Sequence, residues 1–546
     1  GNFNYTDNSR DYIMSHPPAA FKINLYSLYA QDEIQVTDRF KLTPGVRLDY
    51  TSLPNKQPLS AKTTGAPTDA NYGTTYTYTK PSDIKNKYLN NVQISPRLGF
   101  NFDINGDQSL VLRGGTGIFT GRIPFAWLGY AYYNNGVTYG AYDKKFGYTS
   151  AADAPAAGSN PVNVNSQGAA QFVSKQGVDV HDASGATQVD MIDNNFKMPS
   201  MWRSSLALDY STQNQWRFTV EGIYTKTIKD LKFQQVNLVD NPYYLPYDTK
   251  HQQPIYTGAK INSKYTNAYL LSNTDKGFRY SITGQASKTW KFGLNASVAY
   301  TYGQSKDITN GIRNSMESNW QLNQALNPNN PGLAYSNFDI RHRVVATASY
   351  KVDWTKQNRW VANFAVFFNT SSGVPFTYGF VNSTIQGTPQ QVSLVYIPKD
   401  QTEARSFFTA ANESMADAFW AYVEGDKYLK TRKGEFTERN GGRTPWNTSA
   451  DFRFTQDFNF KSGKTLHTLT LTYDIVNVTN LINKNWGVQY FSPNTFNSTA
   501  SVGLKTATAG SATANPVYTW TNPGTPYSKD FFASRHQMQL GLRYSF

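Results

Sequence analysis

The C-terminal segment from Gln537 to Phe546 alternates strictly between apolar and polar side chains. A period of two residues is that of a β-strand, whose successive side chains point to opposite faces of a sheet. The apolar face carries Met538, Leu540, Leu542, Tyr544 and Phe546, and the polar face carries Gln537, Gln539, Gly541, Arg543 and Ser545. The two faces of this strand therefore meet opposite surroundings.

The same alternation recurs along the chain, in segments that begin near Phe40, Val92, Trp216 and Phe292. Tight polar turns join the strands in pairs, around 37–39, 105–108, 212–215, 290–291, 353–357 and 461–464. Long segments separate the pairs, at 53–90, 123–197, 236–276, 308–336, 382–445 and 481–531. Short turns at one end and long loops at the other are typical of outer-membrane barrels. The pattern predicts an all-β, transmembrane antiparallel β-barrel of the bacterial outer membrane, with periplasmic turns and extracellular loops.

The composition agrees with this prediction and excludes several other classes. Charged residues make up only 16% of the chain, and 37 Tyr stand against 7 Met, which suits half-polar strands better than helices. No run of about 18 apolar residues predicts a transmembrane helix. The absence of cysteine excludes disulfides, zinc–thiolate sites and thiol nucleophiles. The net charge of +14 is spread without a basic tract, so we expect outer-membrane lipid and lipopolysaccharide or an anionic solute as partners, and no nucleic acid.

A large soluble all-β protein is the alternative fold, and two observations count against it. Strands of about 13–15 residues are too long for a sandwich but suit tilted membrane strands. The polar faces also carry Arg97, Arg217, Glu221 and Arg543, which a dry core would have to neutralise. The wet lumen of a wide barrel accommodates them.

The number of strands predicts that part of the barrel lies elsewhere. We count about thirteen, so the first strand and the last run in the same direction, whereas single-chain bacterial barrels have even numbers. An open sheet edge in lipid would leave backbone groups unsatisfied. We therefore expect residues 1–546 to form the C-terminal part of a larger barrel, and the alternative is a count that is wrong by one.

An ordered series of short motifs resembles the TonB-dependent outer-membrane receptors, and within them the Oar-like branch of Bacteroidetes. The motifs are Tyr29–Glu33, Leu42–Tyr50, Ser95–Phe100, Leu112–Phe119, Phe338–His342, Ser372–Phe376, Tyr396–Pro398, Glu438–Asn440, Asp474–Asn477, Asn480–Asn483 and Tyr544–Phe546. The resemblance implies a barrel of about 22 strands closed by an N-terminal plug. The plug, the TonB box and the early strands have no counterpart in this chain.

The resemblance also implies partners and a function. Its partners would be the plug, the TonB energising complex, the barrel assembly machinery with Tyr544 and Phe546 as the recognition signal, and in some members a surface lipoprotein. The function would be TonB-dependent import of a solute that the sequence does not identify. A passive pore, or a structural or adhesive surface barrel within an envelope complex, is the alternative. An outer-membrane enzyme is the third class.

The sequence offers no catalytic site, no metal site and no cofactor. The six histidines are scattered without metal-ligand spacing. Gly114–Gly117 lacks the spacing of a phosphate loop and lies in an alternating strand, so close packing of a bent strand is the better interpretation. Asp32 and Glu33 point to opposite faces of their strand and cannot act together. We therefore expect no enzyme.

Two groups of residues are candidates for binding. Aromatic residues after Arg122 suit stacking on a sugar, a peptide or a chelator, although folding the loop onto itself or lying at the outer membrane interface is their simpler role. They are Trp127, Tyr130, Tyr132, Tyr133 and Tyr139, and Trp420, Tyr422 and Tyr428 offer a similar set in a later loop. The arginines expected to face the lumen are Arg47, Arg97, Arg217 and Arg543. Contact with the plug is their simpler role, and contact with an anionic solute is the alternative.

Overall fold

The computed structural model describes residues 21–136, 187–309, 311, 313–380, 385, 392–492, 502–505 and 516–546. In this part of the chain, thirteen strands form one curved antiparallel sheet, and each strand pairs with the next along the chain. The strands are β1 (Asn24–Gln31 and Ile34–Thr37), β2 (Phe40–Ser52), β3 (Gln93–Asp103), β4 (Leu110–Thr120), β5 (Ser200–Ser211), β6 (Trp216–Gln235), β7 (Tyr265–Thr274 and Phe278–Thr289), β8 (Leu294–Asp307), β9 (His342–Asp353), β10 (Trp360–Ser371), β11 (Asn447–Ser462), β12 (Thr465–Val476) and β13 (Gln537–Ser545). The predicted fold class, the strand number and the six turn positions are confirmed.

The register gives the sheet one apolar and one polar face. Val220, Ile282 and Val298 lie on the apolar face and are 58%, 55% and 47% exposed. A soluble sheet would cover such a surface, whereas a lipid-facing sheet leaves it bare. Thr219 and Gln285 pair across strands on the opposite, polar face. No helix among the described residues is long and apolar enough to cross a membrane.

The long loops contain secondary structure that the alternation did not predict. Their helices and helical turns are Ala61–Thr64, Pro81–Asp83, Phe125–Tyr133, Met316–Gln321, Gln401–Ser406, Ala410–Asn412, Glu413–Gly425, Leu429–Arg432, Val478–Ile482 and Phe531–Ser534. Their short strands are Thr187–Ile192, Tyr243–Pro246, Gln252–Ile255, Ala334–Tyr335, Pro375–Phe376, Gly379–Phe380, Ser393–Leu394, Tyr396–Ile397, Glu435–Phe436, Gly442–Arg443, Gln489–Phe491, Val502–Lys505, Val517–Trp520 and Ser528–Asp530. The described parts of the long loops are therefore folded.

Three hydrophobic clusters lie among the described loop and loop-end residues, and the two larger ones are rich in aromatic side chains. The first loop core contains Tyr88, Trp127, Phe233, Trp320 and Ile385, which come from five segments separated along the chain. The second loop core contains Tyr247, Phe376, Tyr396, Phe419 and Tyr518. Burying one large aromatic side chain contributes on the order of 2–3 kcal/mol, so these cores can hold the loops in fixed positions over one end of the sheet.

Gly114 confirms close packing as the reason for the glycines in β4. A Cβ atom on Gly114 would come within 2.7 Å of the Ser205 carbonyl oxygen and 2.8 Å of the Phe100 ring. Replacing Gly114 with alanine should therefore destabilise the barrel by about 1–3 kcal/mol, because neighbouring backbone must shift. The urea midpoint of the protein in detergent measures this loss. Gly284→Ala is the matched control, because a Cβ there meets nothing within 4 Å, and equal midpoints for the two variants would contradict the packing role.

Candidate functional site

The polar face of the sheet encloses the lumen, a cavity of about 1680 Å³. Strands β5 to β13 contribute to its wall. The charged residues of the polar face in the lining are Asp209, Arg217, Asp451, Arg453 and Asp474, and polar side chains such as Ser297, Thr347 and Ser349 lie between them. Such a surface suits water and polar solutes.

Ion pairs connect strands on this polar face. Arg113 Nε lies 2.7 Å from Asp209 Oδ2, and Arg113 Nη1 lies 3.6 Å from Glu221 Oε1. Arg453 binds Asp474 through two hydrogen bonds of 2.6 and 2.8 Å. These pairs neutralise part of the wall and fix the positions of the side chains that a solute or another protein segment would meet.

All four predicted lumen arginines lie on the polar face. Arg47 donates to Asp49 Oδ2 at 2.9 Å and to Ser27 Oγ at 2.9 Å. The guanidinium of Arg97 lies 4.7 Å from the centre of the Phe119 ring. Arg217 lines the cavity, and Arg543 is exposed on β13 opposite Thr470. Their contact with a plug or with a solute remains a prediction.

The aromatic residues after Arg122 have unequal access to solvent. Trp127 is 1% exposed, packs edge-on against Phe233 at 5.5 Å and donates from Nε1 to the Arg313 carbonyl oxygen at 2.7 Å. Tyr132 is 8% exposed and stacks on Phe21 at 4.8 Å. These two rings form part of the loop interior, the alternative role considered above.

The remaining predicted aromatic residues are more accessible. Tyr130 is half-buried and Tyr133 is 43% exposed, while Tyr139 lies outside the described residues. Among the described residues of this segment, Tyr130 and Tyr133 are therefore the ones that could contact a ligand, and that contact stays a prediction. Half-buried Trp420, Tyr422 and Tyr428 pack beside the second loop core.

Asp339 organises polar contacts at the loop end of β8, a role that the sequence analysis did not identify. Its carboxylate is fully buried and accepts the Ser305 N–H at 2.6 Å. Arg341 approaches to 3.3 Å, and Arg443 forms a second ion pair. Asp339 and Arg341 belong to the motif Phe338–His342, whereas Ser305 and Arg443 lie 34 and 104 residues away, and no local pattern indicates those two partners.

His251 joins two of the long loops. His251 Nδ1 lies 2.7 Å from Asp248 Oδ2 in its own hairpin, and Nε2 lies 3.2 Å from Glu435 Oε2 in the β10–β11 loop. The Tyr396 hydroxyl also donates to Asp248 Oδ2, at 3.0 Å. We call these four side chains the loop latch.

The loop latch should make loop docking dependent on pH. The hydrogen bond with Asp248 raises the pKa of His251. Burial raises the pKa of Asp248, but the hydrogen bonds from His251 and from backbone amides lower it by more. The pKa of Asp248 therefore lies below its ordinary value. The stabilisation of the docked loops by His251 is complete below its unfolded pKa of about 6.5 and is lost as the pH rises through the raised pKa. The stabilisation by Asp248 is complete above its unfolded pKa of about 3.9 and is lost as the pH falls below that value.

We therefore expect slower hydrogen exchange in the 243–255 hairpin at pH 6 than at pH 9, after correction for the intrinsic exchange rate. His251→Asn should remove most of this difference, and His536→Asn, an exposed histidine outside the latch, should retain it. Identical pH profiles for the wild-type protein and His251→Asn would contradict the latch.

Among the described residues, no group of three or more His, Cys, Asp or Glu side chains is arranged to hold a metal ion.

Comparison with known proteins gives one family and several distant folds. Residues 4–515 match a family model described as "Outer membrane beta barrel domain". No curated protein matches the chain. Similar solved structures include the outer membrane transporter YddB from Escherichia coli (12% identity, 84% of this chain and 41% of that chain, TM-score 0.39). They also include the FrpB iron transporter from Neisseria meningitidis (10% identity, 86% of this chain and 44% of that chain, TM-score 0.35). A third is the siderophore receptor PirA from Acinetobacter baumannii (10% identity, 84% of this chain and 42% of that chain, TM-score 0.35). The chain thus spans about two fifths of the length of these proteins, none of which is named as an enzyme.

Proposed function

This chain belongs to the outer membrane β-barrel domain family, and we propose that it forms the barrel wall of a TonB-dependent transporter that imports a solute through a plugged lumen. The observation that carries the proposal is the polar lumen of about 1680 Å³, which lies at one end beneath loops with hydrophobic cores of their own. A lumen lined by paired charges and hydroxyl groups can exchange hydrogen bonds with a moving plug and with a polar solute. Ordered loops supply a surface on which a solute can first bind.

The proposal includes further strands and a plug. Among the described residues, β1 pairs only with β2, and β13 pairs only with β12. Open edges are costly in a membrane because backbone groups stay unsatisfied. We infer that these edges pair with earlier strands of a barrel of about 22 strands, and we assign the chain to the Oar-like branch of Bacteroidetes on its motifs.

The proposed orientation follows from the unequal connections. The folded loops lie outside the cell and the short turns lie in the periplasm, where the TonB complex acts on the plug. Tyr544 and Phe546, which lie 51% and 85% exposed on the apolar face of β13, would present the signal to the barrel assembly machinery. Lipopolysaccharide would contact the outer rim, and a surface lipoprotein would cover the loops.

Uptake by whole cells tests the proposed function. Strains with and without this protein, and with and without TonB, would be given labelled ferric siderophores, oligosaccharides, vitamin B12 and peptides. We expect at least one solute to accumulate about tenfold more when both proteins are present than when either is missing. Accumulation that is unchanged by loss of TonB, together with a steady ion current through the purified protein in planar bilayers, would instead establish a passive pore.

The folded loops favour a second candidate, a structural or adhesive surface barrel within an envelope complex. Two aromatic-rich cores fix the described parts of the loops as a surface that another protein could contact. A protein that is electrically silent, shows no TonB-dependent uptake, and copurifies with a fixed envelope partner would support this candidate.

A further inference from the structure

The strand register brings Arg97, Arg203 and Arg279 to one level on the polar face. Arg97 on β3 pairs with Gly117 on β4, which pairs with Arg203 on β5. Arg203 pairs with Thr225 on β6, which pairs with Arg279 on β7. Neighbouring strands lie about 4.8 Å apart, so successive arginines lie about 10 Å apart. We call these three residues the arginine row.

Small side chains leave open space beside the arginine row. The next level of the polar face, toward the periplasmic turns, is almost entirely glycine and serine. Its residues from β3 to β8 are Gly99, Gly115, Ser205, Ile223, Ser281 and Gly303. A cavity of about 310 Å³ lies along Gly99, Gly115 and Ser205. A solute held by the arginines would therefore have room against the wall.

The guanidinium groups of the row are available to a ligand. Arg203 and Arg279 are exposed to the lumen. Arg97 is half-buried, and its Nε has no hydrogen-bond partner among the described residues. Gly117 lets the Arg97 side chain lie across β4 toward Phe119, because a Cβ there would approach Arg97 Cγ to 3.0 Å. Arg203 and Arg279 thus present exposed guanidinium groups that can each donate two hydrogen bonds, and Arg97, whose Nε is enclosed by protein, adds a third, half-buried positive charge.

The acidic side chains of the strands β3 to β7 do not neutralise the row. Asp103 accepts hydrogen bonds from turn amides, and Asp209 and Glu221 bind Arg113. Asp230 is half-buried and accepts the Leu231 N–H at 2.8 Å. All four lie at least four residues along the strand from the level of the row, a distance of about 13 Å or more. On β2, Asp49 is paired with Arg47. Asp49 also interacts electrostatically with Arg97. On β8, Ser305 pairs with Arg279, and the nearby carboxylates of Asp307 and Asp339 form ion pairs with Arg439 and with Arg341 and Arg443. The carboxylates nearest the row therefore have arginine partners outside it.

We propose that the arginine row binds an elongated polyanion, a solute whose carboxylate or phosphate groups are spaced to meet guanidinium groups about 10 Å apart. This inference rests on the proposed transport function, since it places the polyanion in the lumen beneath the extracellular loops. A compact anion reaches one guanidinium at a time, whereas an extended one reaches two or three, and the linked contacts reinforce one another. An acidic segment of the plug is the competing occupant.

Calorimetry on the intact polypeptide purified from outer membranes tests the proposal. The probes are oligogalacturonate for carboxylates, linear polyphosphate for phosphates, and citrate as a compact trianion. We expect one of the two oligomers to bind more tightly than citrate at low salt, and binding to weaken as salt is added. Arg203→Gln and Arg279→Gln should each weaken oligomer binding at least about tenfold, and the double variant should weaken it further.

Arg343→Gln is the matched control. Arg343 also lies on the polar face, but on β9, where its Nε donates to Asn369 at 3.1 Å. This variant should bind the oligomer within about twofold of the wild-type protein. Absence of oligomer binding to the wild-type protein, or an equal loss in Arg343→Gln, would overturn the proposal. If the row variants bind the oligomer as the wild-type protein does, but their plug becomes sensitive to protease, the arginine row contacts the plug and not a polyanionic solute.

The binding measurement does not need TonB, so the two proposals can fail separately. Row-dependent binding without TonB-dependent uptake would retain the site and reject the transporter. TonB-dependent uptake of a solute, with row variants that bind and transport normally, would retain the transporter and reject the site.

Discussion

Replacing Trp127 with alanine should destabilise the first loop core by about 3–5 kcal/mol. The indole is 1% exposed, packs on Phe233 and holds the Arg313 carbonyl oxygen. Its removal leaves a cavity and an unpaired carbonyl group, and both are costly in a packed interior. The loss should be confined to the loops and the loop end of β6, because the rest of the barrel strands keep their own hydrogen bonds.

Hydrogen exchange followed by mass spectrometry measures this effect. We expect peptides from 123–136 and 231–238 to lose protection by more than about a hundredfold, since each 1.4 kcal/mol corresponds to a factor of ten. Peptides from β9 and β10 should be unchanged. Tyr133→Ala is the matched control in the same helix, because Tyr133 is 43% exposed. Equal protection in the two variants would show that Trp127 does not hold the loops.

Replacing Asp339 with asparagine should destabilise the loop end of β8 and β9 by about 2–4 kcal/mol. The buried carboxylate accepts the Ser305 N–H and forms ion pairs with Arg341 and Arg443. An amide of the same shape leaves both guanidiniums without a counter-charge. Part of the penalty is relieved because the two arginines are about a quarter exposed, at 25% and 23%.

The urea midpoint in detergent and hydrogen exchange in 334–345 measure this loss. Asp417→Asn is the matched control, because the Asp417–Arg405 pair has a similar distance of 2.9 Å but is close to half exposed, at 46% and 48%. A solvated pair contributes about 1 kcal/mol or less. An effect of Asp339→Asn no larger than that of the control would contradict the account of a buried charge centre.

The barrel could be predicted because its signal is local. In the segment from Gln537 to Phe546, five apolar residues alternate with five polar ones, and the turns show polar residues between two such runs. Period-two alternation identifies both the strand and its faces without knowledge of any distant residue. The position of Arg47, Arg97, Arg217 and Arg543 on the polar face followed from the same alternation.

The loop cores could not be predicted because their contacts are not local. Trp127 meets a carbonyl group 186 residues away, and its helix has no apolar periodicity that would indicate burial. A composition rich in tyrosine and tryptophan suits stacking on a ligand and stacking on Phe21 or Phe233 equally well. The arginine row could not be predicted for a related reason. Which residues of neighbouring strands lie side by side depends on the strand register, and a slip of one residue would move each side chain to the other face.

Fluorescence from single cysteines at Ser297 and Val298 tests the central claim, a barrel with lipid on one face and a wet lumen on the other. The chain has no native cysteine, so one environment-sensitive label reports one position. In outer-membrane vesicles, we expect a label at residue 298 to be quenched by spin-labelled lipid and a label at residue 297 to be quenched by iodide. Iodide quenching of equal strength at both positions would mean that the apolar face meets water, and would contradict the account.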